Sequence, residues 1–262
     1  MLKMFPFRIL KRTVLLGLFL GSGLSYAQVN VKDSLVAAPL IIPNVSVQFP
    51  VGQLSDRFGL NFHLGATILY KHRKSWLWGV SGAFMFGEVV NEPALLSPLI
   101  PVFDEEGQLP AIALGMRGFN VMGQFGKILP VFKKPNRNSG ITLMLGMGFI
   151  QHYIYMEARG GLTPQMEGDY IKGYDRLTNG FCSSQFIGYT FLGNKRTINF
   201  YIGFEMIEGV TQNRRGYNYD TFRPDTDTKF DLMLGIKAGW IFPVYKRTGK
   251  AIQNKEREYY YY

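Results

Sequence analysis

The sequence is short of the features that usually brace an exported domain or give it chemistry. Cys182 is the one cysteine, so neither an intramolecular disulfide nor a cysteine-based zinc site can hold the fold together. The three histidines, His63, His72 and His152, are not spaced to share a metal on one strand face. Past the first two dozen residues there is no run of about 18 apolar residues, which excludes an ordinary membrane-spanning helix. Amphipathic segments of helical period are also scarce. Ser183 and Ser184 have no histidine or acid close by in sequence, and no paired carboxylates or cofactor motif stand out. These absences lead to the expectation of a chain that is not an enzyme and holds no metal or cofactor.

What is present begins with an export signal. Lys3, Arg8, Lys11 and Arg12 form a basic start, Thr13 to Leu24 is apolar and uncharged, and Ser25-Tyr26-Ala27 places small residues where a signal peptidase reads. Residues 1–27 are therefore expected to be a cleaved leader. The mature chain would have 235 residues, one domain's worth, and its charge would fall from +10 to +6 because four of the 29 Lys and Arg belong to the leader. The remaining bases sit in short turns and form no continuous stripe, so a nucleic-acid partner is not expected.

Glycine is abundant, at 30 residues, and aromatics reach 15%. Their arrangement has a period of two. From Phe58 to Tyr70, Phe58, Leu60, Phe62, Leu64, Ala66, Ile68 and Tyr70 share one face, while Gly59, Asn61, His63, Gly65 and Thr67 share the other. Such a run is longer than the usual strand of a soluble sheet and matches a tilted membrane-crossing strand. The pattern returns at Trp76–Gly87, Ile198–Met206 and Phe230–Val244, with weaker segments near 39–49, 112–129, 141–156 and 181–192. The expected fold is all-β, a closed antiparallel transmembrane β-barrel of about eight strands spanning residues 28–245.

Connections alternate in length. The turns at His72-Arg73-Lys74, Lys133–Asn138 and Asn194-Lys195-Arg196 are short and basic, whereas 88–111, 157–179 and 213–229 are long. Outer-membrane barrels have short periplasmic turns and long outer loops. Aromatics gather beside the turns, as at Tyr70, Trp76, Trp78 and Trp240, where interfacial belts belong.

An eight-stranded barrel is just wide enough for its own side chains to fill it. The inward positions include Asn61, His63, Asn199, Tyr201, Glu205, Asp231 and Lys237. If the last two strands pair about the loop from Asn213 to Lys229, Glu205 falls near Lys237, and an interior ion pair with a structural role follows. Asp220, Asp225 and Asp227 make one outer loop acidic, but Arg214, Arg215, Arg223 and Lys229 interleave with them, the pattern of a solvated loop.

Two further segments stand out. Within 91–110, Leu95, Leu96, Leu99, Ile100 and Phe103 make a proline-stiffened apolar loop that either docks a partner or folds over the barrel mouth. After Tyr245, a basic tail over residues 246–262 ends in Tyr259, Tyr260, Tyr261 and Tyr262, expected to be periplasmic and to contact lipid heads, cell wall or a partner.

The alternating segments, the short basic turns and the final strand Phe230–Tyr245 resemble the small outer-membrane barrels typified by OmpA and OmpX. The likeness covers the mature chain as topology. It departs at the end, where seventeen residues follow the terminal aromatic. The run Gly173–Gly180, the segment Thr211–Arg215 and the tyrosine tail are also similar to barrels of gliding or type IX secreting bacteria, which implies association with a larger outer-membrane machine. The expected function is a non-enzymatic accessory or anchoring subunit of an envelope complex, in secretion or outer-membrane protein assembly, with lipids and a protein as partners. Alternatives are an outer-membrane hydrolase acting on lipid A or peptides at the loop rim, and a soluble calyx for an apolar ligand, which would need a polar exterior.

Overall fold

The computed structural model describes residues 36–92, 94–96, 103, 107–108, 111–131, 138–159, 168–193 and 198–244. The expected leader and the tyrosine-ended tail lie outside the described residues.

Eight long strands form the wall: β1 (Ala38–Val51), β2 (Asn61–Lys71), β3 (Trp76–Gly87), β4 (Ala111–Leu129), β5 (Gly140–Arg159), β6 (Thr178–Leu192), β7 (Asn199–Asn213) and β8 (Thr228–Trp240, resumed at Phe242–Pro243). Each pairs antiparallel with its neighbour in sequence, and β8 returns to β1, with Asn44 opposite Gly239 and Val51 opposite Leu232. The sheet is thus closed. The β1–β8 ladder lapses at Pro43, which has no N–H to give, and resumes where Ile41 faces Phe242. Closure matters because a spanning sheet cannot leave backbone groups unpaired in hydrocarbon.

The distribution of side chains is that of a membrane barrel. Phe62, Ile202 and Leu234 are 38%, 49% and 43% exposed, while Asn61, His63 and Glu205 on the alternate positions are buried. A soluble calyx would show the reverse, and this face chemistry removes that reading. The outer wall places Tyr70, Trp76, Trp78, Trp240 and Phe242 at the short-turn end. There Trp76 stacks on Phe125 at 5.1 Å and Lys127 Nζ lies 4.7 Å from its ring centre. An amphipathic ring with a cation over it suits the boundary between hydrocarbon and headgroups. An outer apolar belt on a closed antiparallel barrel is the signature of an outer-membrane protein.

The interior is filled in layers. Near the short turns, Leu40, Ile42, Leu69, Leu77, Ile128, Met144, Phe186 and Tyr201 pack together. Toward the long loops, Leu54, Phe58, Met85, Met116, Met122, Ile150, Ile154, Cys182, Ile207 and Met233 form a second apolar plug. Between them lies a polar layer that includes Asn44, Ser46, Gln48, His63, Gln124, Glu205 and Lys237. The inward face is therefore not uniformly small or polar as the alternation implies, because a narrow barrel must still exclude voids.

The sharpest departure from the period-two reading is at Phe58. The β1–β2 connection is a single short turn, Gly52–Leu54, opened by Gly52 at φ +64°, a conformation that favours glycine. The Phe58 N–H then bonds Leu54 O, which rotates the Phe58 side chain inward before β2 begins. It lies buried in the upper plug with its ring edge-on to His152 at 5.6 Å.

Candidate functional site

The polar layer is organised around one ion pair. Lys237 Nζ donates to Glu205 Oε1 at 2.7 Å, and Gln48 Nε2 donates to Glu205 Oε2 at 3.0 Å. In the β7–β8 ladder Glu205 faces Gly235 and Lys237 faces Gly203, so the two charges are diagonal neighbours on the inner face. Gly235 is required for this arrangement: a Cβ there would come 2.4 Å from Gln48 Oε1 and 2.1 Å from Val47 O. The side chains are 5% exposed at Glu205 and 11% at Lys237. The space left beside them, lined among others by Asn44, His63, Ser81, Asn120 and Gln124, is about 10 Å³, room for roughly one water. His63 Nε2 is buried there without a hydrogen-bond partner, and such a water would serve it.

A second buried cluster sits under the mouth. His152 Nε2 is 2.8 Å from Asp231 Oδ2, Thr211 Oγ1 donates to the same oxygen at 2.7 Å, and Arg57 Nη2 approaches Asp231 Oδ1 at 3.5 Å. Arg57 comes from the first outer turn and reaches inward, so this cluster ties that turn to β5, β7 and β8. Burial lowers the Arg57 pKa from its usual value, partly offset by the negative Asp231 and Glu92.

A histidine on an aspartate resembles two thirds of a hydrolytic triad, but among the described residues no free hydroxyl completes it. The Thr211 hydroxyl is committed to the aspartate, His152 Nδ1 has no hydrogen-bond partner, and His152 is completely buried. Ser183 points outward to Glu208 and Ser184 points inward. Among the described residues no group of three or more His, Cys, Asp or Glu could hold a metal ion.

At the rim Arg214, Arg223 and Asp227 are exposed, as a solvated loop implies, while Asp220 and Arg215 pair with the preceding long loop and Asp225 pairs within its own. Arg176 bridges Glu92 and Asp220, each at 2.5 Å. Arg215 forks onto Asp175 through Nε and Nη2. A small hairpin, Gly216–Asn218 with Arg223–Asp225, is held by Asp225, which accepts from Lys229 at 2.6 Å, Asn213 at 2.8 Å and Asn218 at 3.1 Å. Burial would raise the Asp225 pKa, yet these three donors outweigh it and hold the carboxyl below its usual value. Glu92 goes the other way, raised by burial despite Arg176 and Arg57.

The apolar loop is divided. Leu95 is 1% exposed inside the upper plug and Leu96 packs against it, so these two help fill the mouth, while Phe103 is 44% exposed. Leu99 and Ile100 lie outside the described residues. The partner of His152 could not be read from sequence, since Asp231 is 79 residues away and only the barrel's closure brings β5 and β8 side chains together.

No protein-family model matches the chain, and no curated protein matches it. Among solved structures it is similar to Neisserial surface protein A, at 8% identity over 78% of this chain and 98% of that one, with a TM-score of 0.38. It is also similar to Ail of Yersinia pestis, solved with the heparin analogue sucrose octasulfate, at 15% identity over 79% and 98% with a TM-score of 0.36. A third is OprG of Pseudomonas aeruginosa, at 11% identity over 80% and 99% with a TM-score of 0.35. The barrel assignment rests on the strand registers and the side chains each face presents, and takes nothing from these scores.

Proposed function

We propose that this outer-membrane barrel is a non-enzymatic accessory or anchoring subunit of an envelope complex, in secretion or outer-membrane protein assembly. The observation that carries the reading is the filled interior. Two apolar plugs enclose a neutralised polar layer, and Arg57 and Leu95 reach inward from the outer loops to the upper plug. A barrel of this kind offers no wide path for solutes. The sealed His152–Asp231 pair offers no surface to a substrate. What remains available is the wall, the rim braced by ion pairs, and the exposed Phe103, all suited to holding a partner.

The interior pair of Glu205 and Lys237 is then structural, and the tyrosine tail and the loop around Leu99, Ile100 and Phe103 are the segments we assign to partner contact. Extraction of native membranes in mild detergent followed by affinity purification tests the reading. It expects stoichiometric recovery with other envelope proteins. Recovery with no other protein, under conditions that preserve known envelope complexes, would contradict it.

A further inference from the structure

The outward face of β4 carries two cations, Arg117 and Lys127, with Phe119, Val121, Gly123 and Phe125 filling the outward positions between them. Ten residues of a strand tilted by about 40° rise roughly 26 Å, the height of the apolar band of an outer-membrane barrel. Lys127, beside Trp76, marks the lower edge of that band. Arg117 therefore marks the upper edge, where the headgroups of the outer leaflet begin. The neighbouring strands turn polar there too. Arg117 stands opposite Tyr153 on β5, Gln151 opposite Asn179 on β6, and Asn179 opposite Gln212 on β7, with Arg214 one outward position beyond.

Both arginines are held in place, and both keep donors free. Arg117 Nη1 donates to the carbonyls of Met116 at 2.9 Å and Gly87 at 3.2 Å, and its Cζ lies 5.0 Å from the Tyr155 ring centre. The side chain thus leans toward the long loops across Gly115, where a Cβ would come 3.0 Å from Nη1. Its Nε and Nη2 are left for an outside acceptor. Arg214 Nε donates to Asn179 Oδ1 at 2.6 Å, and Asn179 Nδ2 donates to Gln151 Oε1 at 3.3 Å. The two guanidinium heads lean toward each other over β5 and β6. Arg57, Arg176, Arg215 and Lys229 each meet an acid, whereas among the described residues no acid pairs with Arg117 or Arg214. Glu157, one outward position beyond Tyr155, and Glu208, two below Gln212, reach neither of them.

We infer that this stretch of wall, from β4 to β7, binds the phosphorylated sugar headgroup of an outer-leaflet glycolipid, with Arg117 and Arg214 each holding a phosphate. A guanidinium fork takes phosphate through paired N–H groups, and a cation turned toward lipid without an acid draws its anion from the lipid. Between the two cations lie Tyr153, Gln151 and Asn179. An aromatic ring and two amides suit the faces and hydroxyls of a sugar, and they give the bare phosphodiester of phosphatidylglycerol little to bind. Below the headgroup, acyl chains meet the exposed Val121, Phe149 and Phe181.

The test needs no partner protein, so the inference stands apart from the accessory-subunit reading. Folded protein in mild detergent is titrated with diphosphoryl lipid A, with the same lipid stripped of both phosphates, and with phosphatidylglycerol. Bound lipid is counted by native mass spectrometry. The expected result is saturable binding of diphosphoryl lipid A, tighter than either other lipid by about tenfold or more. Arg117→Gln together with Arg214→Gln should remove that advantage. Arg223→Gln, in the rim hairpin, and Lys127→Gln, at the lower edge of the band, should stay within about twofold of the parent. Each variant must keep the heat-shifted gel mobility of a folded barrel. If the pair does not, Arg214→Gln alone, at an exposed position, is read in its place and should cost about threefold or more. Equal binding of the phosphorylated and stripped lipids, a paired variant that binds like the parent, or an equal loss from Lys127→Gln would each overturn the inference. So would phosphatidylglycerol bound as tightly as lipid A, which would leave only a general preference for anions.

Discussion

Replacing Lys237 with Met isolates the central charge of the polar layer. The substitution nearly preserves the length of the side chain and removes the ammonium that lies 2.7 Å from Glu205. The carboxylate keeps the Gln48 donor at 3.0 Å but loses its cation in a site that is 5% exposed. Breaking a buried pair from one side typically costs about 3–5 kcal/mol, because the remaining charge is left uncompensated. The adjoining space, with room for about one water, argues for the lower end, ~3 kcal/mol. For a domain of this size that is a fall in melting temperature on the order of 10 °C. Adding Glu205→Gln removes the stranded charge and should recover most of the loss, giving a coupling of about 2 kcal/mol in the double-mutant cycle. The assay is the fraction of barrel that keeps its folded gel mobility after stepped heating. Bilayer conductance is recorded in parallel and should not change. A Lys237→Met protein that melts with the parent, or one that opens a conductance, would refute both the burial argument and the structural role.

Three other outcomes follow from named contacts. Arg176→Met leaves Glu92 and Asp220 facing each other without their cation, a cost of about 3 kcal/mol, and should raise proteinase K cleavage of the long loops with the wall intact. The Asp225 carboxyl is held below its usual value, so its contribution to the rim hairpin is complete above an unfolded value of about 3.9 and is lost as pH falls through the lower folded value. Hydrogen exchange should therefore show hairpin amides opening in that acid range, and Asp225→Asn should open them at neutral pH while removing this acid step. Gly235→Val drives a side chain against Gln48 and the Val47 carbonyl and should destabilise by about 1–3 kcal/mol in the same heating assay, whereas Ala238→Val on the outer face should be nearly silent.

The parts of the fold that were legible are those where the two faces differ most in chemistry. β3 starts at Trp76 and ends at Gly87 as its alternation predicts, since bulky apolar residues hold every outward position except Gly82. β4 and β5 gave weaker signals because both of their faces carry apolar side chains: Met116, Met122, Met144 and Ile150 point in, Val121, Leu145 and Phe149 point out. A period of two cannot show when neither face is polar. β7 extends to Asn213, well past the Met206 limit read from the sequence, because Glu208 interrupts the outward apolar count. The proximity of Glu205 and Lys237 was accessible because one hairpin relates them and the face rule fixes its register. The His152–Asp231 contact and the bridging of Glu92 and Asp220 by Arg176 depend on strands and loops distant in sequence, so no local spacing encodes them.

The account depends most directly on which side of the wall meets lipid. Spin labels on single cysteines at Leu64, Phe84, Phe204 and Ile236, in a Cys182→Ala background, measure this by collision with oxygen, which partitions into hydrocarbon, and with a nickel chelate, which stays in water. The expected result is high oxygen and low nickel accessibility at all four positions, with low accessibility to both reagents at the inward Met85. Ready nickel access at the first four would place that face in water and contradict the account.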